Sequence, residues 1–380
     1  MKPKFFITTT VARTLFFFKG QPRLWKQDFE VTAIAAEEDR LKEFALAEGI
    51  GYNYMPMHRE ISLWSDFVCL LRFIWFFIKE RPYIVHGNTP KASFLSMVAA
   101  WITRRPVRIY MCHGLRYQGT QGKLHKLLMT MERISCFCAT HVFCVSQGVA
   151  DIMVKDGLCK KKKINVVGYG SAGGVDLDKY NPNIVDTTVR QDLNIPDKAF
   201  VFIFVGRIVK DKGINELVVA FDRLSMSFPF LHLILVGPIE KDLDPVDDKT
   251  EILISINKQI HTVGRQNDVR PYLKAADAFV LPSYREGFGM VLIEAGAMGL
   301  PCITTNITGC NEIIVPGVNG EIVEPRDADA LYDVMNIWVE DKTYVANMAL
   351  NARPMIINRY DCQKVWKLYY NEYKRLLEKS

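Results

Sequence analysis

Two glutamates stand around a glycine-rich turn in the second half of the chain. Glu286 lies inside the turn at residues 284–289 (YREGFG), and Glu294 follows it eight positions later. The turn comes after an apolar, strand-like run at 278–282 and before a helix-like run at 290–298. A turn that opens a helix presents backbone N–H groups and the positive end of the helix dipole to an anion. The stretch therefore predicts an anion site flanked by two carboxylates, about 12 Å apart if the interval between them is helical.

A second turn in this half of the chain carries two cations. Arg207 and Lys212 follow an apolar run at 200–205, and Gly213 precedes a helix-like run at 214–224. Cations beside the first amides of a helix suit a diphosphate, whereas an ordinary charged surface loop is the alternative.

The composition indicates a globular protein of two domains. The chain has 380 residues, of which 49% are hydrophobic and 24% are charged, and this length suits two domains of ordinary size. Nine cysteines at irregular spacings read as reduced, mostly buried thiols of a cytoplasmic protein. The apolar start, residues 5–9, predicts a first strand, because its core is too short for a signal peptide.

Charge is divided unevenly between the two halves. Residues 1–180 contain 26 Lys and Arg against 15 Asp and Glu, and the remainder contains 22 against 27. A basic half indicates an anionic partner. Because no nucleic-acid-binding motif is visible, a lipid or lipid phosphate is favoured over nucleic acid.

Strand-like and helix-like runs alternate through both halves, which predicts two α/β domains with parallel sheets. The predicted domains are residues 1–180 and 181–355, with a helical tail at 356–380. Residues 11–25 are expected to form a loop after the first strand. The apolar segment 62–81 has an uninterrupted core too short to cross a bilayer, so a buried crossover helix and an interfacial helix both stay open.

Two patterns resemble binding motifs without meeting their requirements. Cys136, Cys138, His141 and Cys144 match no common zinc spacing and are expected to be core thiols, so no metal site is assigned. The sequence from Gly168 to Gly173 has the form of a dinucleotide fingerprint, but a turn-like segment follows where a helix should begin.

The two glutamates, the EGFG turn and the later segments GCNEII and GVNGEIVEP resemble glycosyltransferase family 4. The resemblance implies the GT-B fold, with two Rossmann-like domains facing a cleft and a C-terminal helix that crosses back to the first domain. It also implies a retaining sugar transfer from a nucleotide sugar. Three Asp-x-Asp pairs follow no convincing donor-site strand, so a metal-dependent fold of the GT-A type is not expected: Asp176/Asp178, Asp242/Asp244 and Asp327/Asp329.

The resemblance implies a role for each candidate residue. Arg207 and Lys212 are expected to bind the donor diphosphate, Glu286 to lie near the transferred sugar, and Glu294 to hold the ribose hydroxyls. The backbone amides of residues 287–290 (Gly287, Phe288, Gly289 and Met290) are expected to contact the leaving diphosphate, and Arg265 to lie in the turn that holds the base.

The resemblance implies that His113 lies in the cleft between the domains and helps to position the donor or the acceptor. Many members of the family carry a Gly-Gly loop after the first strand, whereas residues 11–25 of this chain contain only Gly20. An aromatic and basic loop with Phe17 and Lys19 would suit a lipid-phosphate acceptor. Arg116 and Trp75 complete the candidates on the acceptor or membrane side.

These implications lead to one main hypothesis and two alternatives. The main hypothesis is transfer of a hexose or N-acetylhexosamine, without a cofactor, from a nucleotide sugar to a polyprenyl-diphosphate-linked saccharide. A UDP-sugar is favoured as the donor, and a GDP-sugar stays open. Such an enzyme would work in surface polysaccharide synthesis on the anionic inner face of a bacterial plasma membrane. The alternatives are an NAD-dependent enzyme that modifies nucleotide sugars and a catalytically silent protein that docks on membranes.

Overall fold

The computed structural model describes residues 2–58, 60–242 and 244–378, in two compact units. The first unit extends to Gly173 and resumes at Gln363, and the second is Gly174–Cys362. The sequence predicted boundaries after residues 180 and 355, and the structure divides the chain after residues 173 and 362.

The first unit is built on a seven-stranded parallel sheet with the order β3-β2-β1-β4-β5-β6-β7. The strands are β1 Lys4–Thr8, β2 Glu30–Ala35, β3 Gly51–Tyr54, β4 Ile84–Gly87, β5 Val107–Cys112, β6 His141–Cys144 and β7 Ile164–Val166. The central strands are almost continuously apolar and buried, as expected for a parallel sheet that is covered on both faces.

Six helices connect these strands: α1 Gln21–Trp25, α2 Glu38–Glu48, α3 Leu63–Glu80, α4 Pro90–Ile102, α5 Gly122–Cys138 and α6 Gln147–Lys155. Buried side chains of α3 to α6 share one core cluster with strand residues such as Phe6 and Val85. The apolar segment predicted at 62–81 is therefore a crossover helix that packs on the sheet. Within the part of the chain that the structure describes, no helix is both long and apolar enough to cross a membrane.

The segment at 11–25 is not the loop that the sequence predicted. Residues Ala12–Phe18 form a 3-10 helix, and α1 follows it after Gly20. Ala12, Leu15 and Phe18 are all buried. Since a 3-10 helix has three residues per turn, this spacing places all three side chains on one inward face. Their burial explains why the segment is ordered.

The second unit repeats the architecture on a six-stranded parallel sheet with the order β10-β9-β8-β11-β12-β13. Its strands are β8 Phe200–Val205, β9 Leu231–Val236, β10 Ile260–Gly264, β11 Ala278–Leu281, β12 Cys302–Thr305 and β13 Gly320–Val323. Its helices are α7 Val189–Asp192, α8 Ile214–Ser227, α9 Asp248–Ile256, α10 Arg270–Ala275, α11 Met290–Ala297, α12 Ala328–Glu340 and α13 Lys342–Tyr360.

The predicted C-terminal helix is interrupted where the chain returns to the first unit. Helix α13 ends at Tyr360, Asp361 has non-helical backbone angles (φ −54°, ψ 122°), and a last helix, α14, covers Cys362–Glu378. Tyr369 and Tyr373 of α14 are fully buried, and the Tyr373 hydroxyl lies 3.2 Å from the imidazole Nε2 of His86 in β4. The expected return of a C-terminal helix to the first domain is thus confirmed, while residues 379 and 380 lie outside the described residues.

Candidate active site

The candidate site of the second unit lies where the strand order of its sheet reverses. Strand β8 pairs with β9 on one side and with β11 on the other. All three strands are parallel, so their carboxyl ends meet at one edge of the sheet. Ligands of open α/β sheets bind at such a switch point. Arg207 and Lys212 follow β8, and Glu286 follows β11, which brings distant parts of the chain to the same edge.

Lys212 and Glu286 form an ion pair at this edge. The Lys212 Nζ lies 2.5 Å from the Glu286 Oε1, and both side chains are largely shielded from solvent. The Ser283 hydroxyl donates a second hydrogen bond to the same carboxylate oxygen at 3.1 Å. One oxygen of Glu286 is therefore held by two donors, which fixes the carboxylate beside the cation.

Gly213 allows the two turns to approach each other closely. Its φ is +70°, a left-handed conformation that favours glycine, and a Cβ at this position would lie 2.0 Å from the carbonyl oxygen of Pro282. The turn after β8 can therefore rest against the turn after β11 only if residue 213 has no side chain.

We expect Gly213→Ala to lower the free energy of unfolding and to weaken nucleotide binding. Backbone strain of this kind costs about 1–3 kcal/mol, and relief of the clash would move Lys212 away from Glu286. Gly157→Ala is the matched control, because Gly157 also has a positive φ but nothing lies within 4 Å of its Cβ position. Thermal melting with and without UDP checks both effects. Equal melting temperatures and equal responses to UDP in the two variants would contradict the role of Gly213 in the close approach of the two turns.

Arg207 stands apart from the ion pair at the same end of β8. Its guanidinium is partly exposed and pairs with Glu240, with Nη1 2.8 Å from Oε2. The two predicted phosphate ligands are thus both engaged by carboxylates, and a diphosphate would compete with Glu240 for Arg207.

The turn at 286–290 departs from the expectation in two respects. The amide of Gly289 donates to the carbonyl of Gly309 at 2.9 Å, and the amide of Met290 donates to the carbonyl of Phe288 at 2.9 Å. These two N–H groups are used within the chain, so the expected set of four anion-binding amides is not presented here. Helix α11 also begins only at Met290. The interval between the two glutamates is therefore not helical throughout, and the distance of about 12 Å does not apply.

Glu294 lies one turn inside α11 and faces Tyr180. The Tyr180 hydroxyl is hydrogen-bonded to the Glu294 carboxylate. Burial raises the pKa of Glu294 to about 7, against the smaller lowering effects of Tyr180 and Lys179. The carboxyl therefore changes its charge near neutral pH, in contrast to an exposed glutamate.

Sequence reasoning missed the residues that hold these groups in place. Tyr180 partners Glu294, Ser283 partners Glu286, and Arg353 donates to the carbonyl oxygens of Tyr180 and Ala297. Ser283 precedes the predicted turn directly, so its position was a usable signal. Nothing in the spacing links Tyr180 or Arg353 to α11, since the three segments are far apart in sequence.

The first unit brings three of its aromatic residues together near its own switch point. The Phe17 ring stacks on the imidazole of His113 with centroids 6.0 Å apart, and Phe18 contacts the same imidazole edge-on at 6.1 Å. Burial lowers the pKa of His113 to about 4. The imidazole is therefore neutral at pH 7 and can donate one hydrogen bond and accept another.

The remaining candidates are exposed side chains. Lys19 and Arg116 belong to the first unit, Arg265 follows the edge strand β10, and Trp75 lies on α3. Exposure leaves these four side chains accessible to a ligand or a surface.

The two motif-like patterns fold as the sequence suggested. Cys136, Cys138 and Cys144 are buried free thiols in α5 and β6. The segment Gly168–Gly173 forms turns, and no helix begins in it. It therefore lacks the helix N-terminus on which a dinucleotide pyrophosphate would rest.

Comparisons with known proteins match both units. Residues 22–178 match the family described as Glycosyltransferase Family 4, and residues 185–355 match Glycosyl transferases group 1. The capsular polysaccharide biosynthesis glycosyltransferase CapM of Staphylococcus aureus is 33% identical over 99% of this chain and 98% of its own length.

Two further similarities extend the comparison. An Escherichia coli protein named UDP-Gal:alpha-D-GlcNAc-diphosphoundecaprenol alpha-1,3-galactosyltransferase is 28% identical, over 89% of this chain and 87% of its own. The solved structure of Anabaena HepE in complex with UDP and glucose has a TM-score of 0.77 at 19% identity, covering 98% of this chain and 99% of that one. The fold and these full-length matches together show that the chain is a glycosyltransferase of family 4 with the GT-B fold.

Proposed function

We propose that the chain transfers a hexose or N-acetylhexosamine from a UDP-sugar to a saccharide carried on a polyprenyl diphosphate, in the synthesis of a bacterial surface polysaccharide. The observation that carries the proposal is the Lys212–Glu286 ion pair at the switch point of the second sheet. It is supported by the named activities of relatives, one in capsule synthesis and one with a UDP-sugar donor and a diphosphoundecaprenol acceptor.

In this reaction the bond between the sugar C1 and the diphosphate oxygen breaks, and UDP leaves with the electron pair. An acceptor hydroxyl forms the new bond to C1 and gives up its proton to the leaving diphosphate oxygen. Arg207 and Lys212 offset the negative charge that develops on the leaving diphosphate. We propose that this happens with retention of configuration and without a metal ion.

The other donor contacts are proposed from the family resemblance. Glu286 is proposed to contact the sugar while it orients Lys212. Glu294 accepts from the ribose hydroxyls, and Arg265 lies in the turn beside the base. The turn at 287–290 then lies along the donor, with the buried Phe288 ring packed against Tyr360 as its anchor.

The first unit is proposed to bind the acceptor. His113, with its neutral imidazole, is suited to contact an acceptor hydroxyl, and the exposed Phe17 suits a lipid or sugar face. Lys19 and Arg116 suit the phosphates of the carrier. An acceptor of this kind is a membrane lipid, so we propose a location on the inner face of the plasma membrane.

Thermal melting against a panel of nucleotides tests the proposal. A ligand that binds only the native state raises the melting temperature. At a ligand concentration one hundred times Kd, it adds about 2.7 kcal/mol to the free energy of unfolding. We expect UDP and one UDP-sugar to raise it in the presence of EDTA, and GDP, ADP and NAD to leave it unchanged. A transfer assay with a short-chain polyprenyl-diphosphate saccharide then identifies the product linkage.

Other outcomes point to the alternatives. A response to NAD and to no sugar nucleotide would replace the proposal with the dinucleotide-dependent enzyme. A response to UDP-sugars that disappears with EDTA and returns with magnesium would contradict metal independence. Donor binding without transfer to any lipid-linked acceptor would favour the catalytically silent protein.

A further inference from the structure

Helix α3 has two apolar faces, and the sheet covers only one of them. Cys69, Phe73 and Phe77 are buried in the core of the first unit. An outward row of apolar side chains is exposed, with Trp64 at 77% and Trp75 at 63%. We define this row as the apolar stripe: Trp64, Phe67, Leu71, Trp75 and Ile78.

The stripe is continuous along the helix. Its members are three or four positions apart, so at 100° per residue they fall within an arc of about 80°. From Trp64 to Ile78 the stripe extends for about 21 Å at 1.5 Å per residue. Scattered exposed apolar residues are ordinary on a protein surface, but an aligned row of this length marks an interaction site.

Basic groups outnumber acidic groups in the part of the chain that carries the stripe. Residues 61–140, which include α3, α4 and α5, contain eleven Lys and Arg and only three Asp and Glu. Each of the three acidic groups has a partner within the protein: Asp66 pairs with Lys91 at 2.7 Å, Glu80 pairs with Lys4 at 2.6 Å, and the buried Glu132 accepts from Tyr110. Arg72 and Lys79 beside the stripe are exposed. The surface is therefore apolar and cationic.

Helix α5 continues this surface with the same chemistry. Leu124, Leu127 and Phe137 are exposed, and so are Lys123 and Lys126. Helix α4 packs between α3 and α5, and its exposed Trp101 contacts the Phe137 ring with centroids 6.0 Å apart. The outer faces of three consecutive helices thus form one layer with both apolar and basic side chains.

We propose that this layer is a docking surface for anionic phospholipid, with the apolar stripe lying in the plane of the membrane interface. Tryptophan favours the boundary between head groups and acyl chains, and lysine and arginine favour anionic head groups. A second copy of the chain is a poorer partner, because a symmetric contact would press one cationic layer against another. The biological role of this surface rests on the membrane location proposed above. Binding to vesicles can be measured separately, because it does not require sugar transfer.

Co-sedimentation of the full chain with lipid vesicles tests the surface. The probe is phosphatidylcholine with about one-third phosphatidylglycerol, compared with phosphatidylcholine alone. We expect the wild-type protein to bind the anionic vesicles and to bind much more weakly when phosphatidylglycerol is omitted or salt is raised. Arg72→Ala/Lys79→Ala should reduce binding to the anionic vesicles by about 25-fold, since each basic group near the surface is worth about fivefold.

Trp64→Ala/Leu71→Ala should also abolish most of the binding, and alanine preserves the helix. The control is Ile256→Ala/Leu350→Ala, which removes two apolar side chains that are 66% and 74% exposed on helices of the second unit and should bind as the wild type does. All variants are also melted with UDP, and an unchanged UDP response separates failure of this surface from failure of the proposed enzyme.

Three results would overturn the inference. One is wild-type protein that fails to bind anionic vesicles while it still responds to UDP. Another is a stripe variant that binds as tightly as its control. The third is a wild-type protein that light scattering shows to be a dimer and that Trp64→Ala/Leu71→Ala converts to a monomer. That result would make the stripe an interface between two copies of the chain.

Discussion

Lys212→Ala is expected to lower kcat/KM for sugar transfer by about 10²–10³-fold, the usual effect of removing one group that stabilises charge in a transition state. Lys212 is the shielded one of the two cations that follow β8, and its Nζ is held 2.5 Å from Glu286. Without it the leaving diphosphate loses a positive charge, and Glu286 is left unpaired in a shielded position. Steady-state rates with the donor found by thermal melting measure the change.

A neighbouring lysine provides the control for this substitution. Lys210 is two positions away in the same 3-10 turn, and its ammonium pairs with Asp247 at 3.1 Å. Lys210→Ala removes an equal charge from an exposed pair and is expected to change the rate by less than about threefold, because exposed pairs contribute little. Similar losses of kcat/KM in both variants would show that the total positive charge of this turn, and not the contact with Glu286, determines the rate.

Lys212→Arg keeps the positive charge at this position and should therefore recover part of the kcat/KM that Lys212→Ala loses.

Glu294→Ala is expected to weaken UDP binding by about 10–100-fold, because a hydrogen bond to a charged group is worth about 1.5–3 kcal/mol. The pKa of Glu294 near 7 adds a pH dependence. Ribose hydroxyls donate to the ionised carboxylate more strongly than to the neutral acid. UDP affinity of the wild-type enzyme should therefore fall as pH is lowered through 7, and titration calorimetry at pH 6 and pH 8 measures the difference.

The same carboxyl affects stability with the opposite sign. Because its pKa in the folded protein is above the ordinary value, the native state holds this proton more tightly than the unfolded chain does. Its contribution to stability is complete below the ordinary glutamate pKa and is lost as pH rises through 7. Glu294→Gln should make this part of the stability profile less steep and should remove the pH dependence of UDP affinity that comes from this carboxyl. Burial also raises the pKa of Glu132 to about 7, so this second carboxyl maintains part of the dependence of stability on pH in Glu294→Gln. An unchanged UDP affinity in Glu294→Ala would refute the ribose contact.

The local order of elements was readable from the sequence around both turns. The run from β11 through the glycine turn to α11 was predicted within one residue at most ends, since β-type runs, glycines and helix formers follow one another there. The same is true of β8, Gly213 and the start of α8. The prediction of a loop at residues 11–25 was wrong. A short 3-10 helix shows itself in sequence only as apolar residues three positions apart, and here the neighbouring Phe16 and Phe17 hide that pattern.

The sequence by itself determined the residue types of the site, the α/β pattern and the family resemblance, because these depend on local periodicity and short motifs. The tertiary structure alone decided which residues meet. Parallel pairing of β8 with β11 joins Lys212 to Glu286 across 74 positions, and the fold brings Tyr180 to Glu294. It also decided that the amides of Gly289 and Met290 are already used, and that α3 buries one apolar face and leaves the other exposed. Contacts between distant segments depend on sheet order and packing, which no local pattern contains.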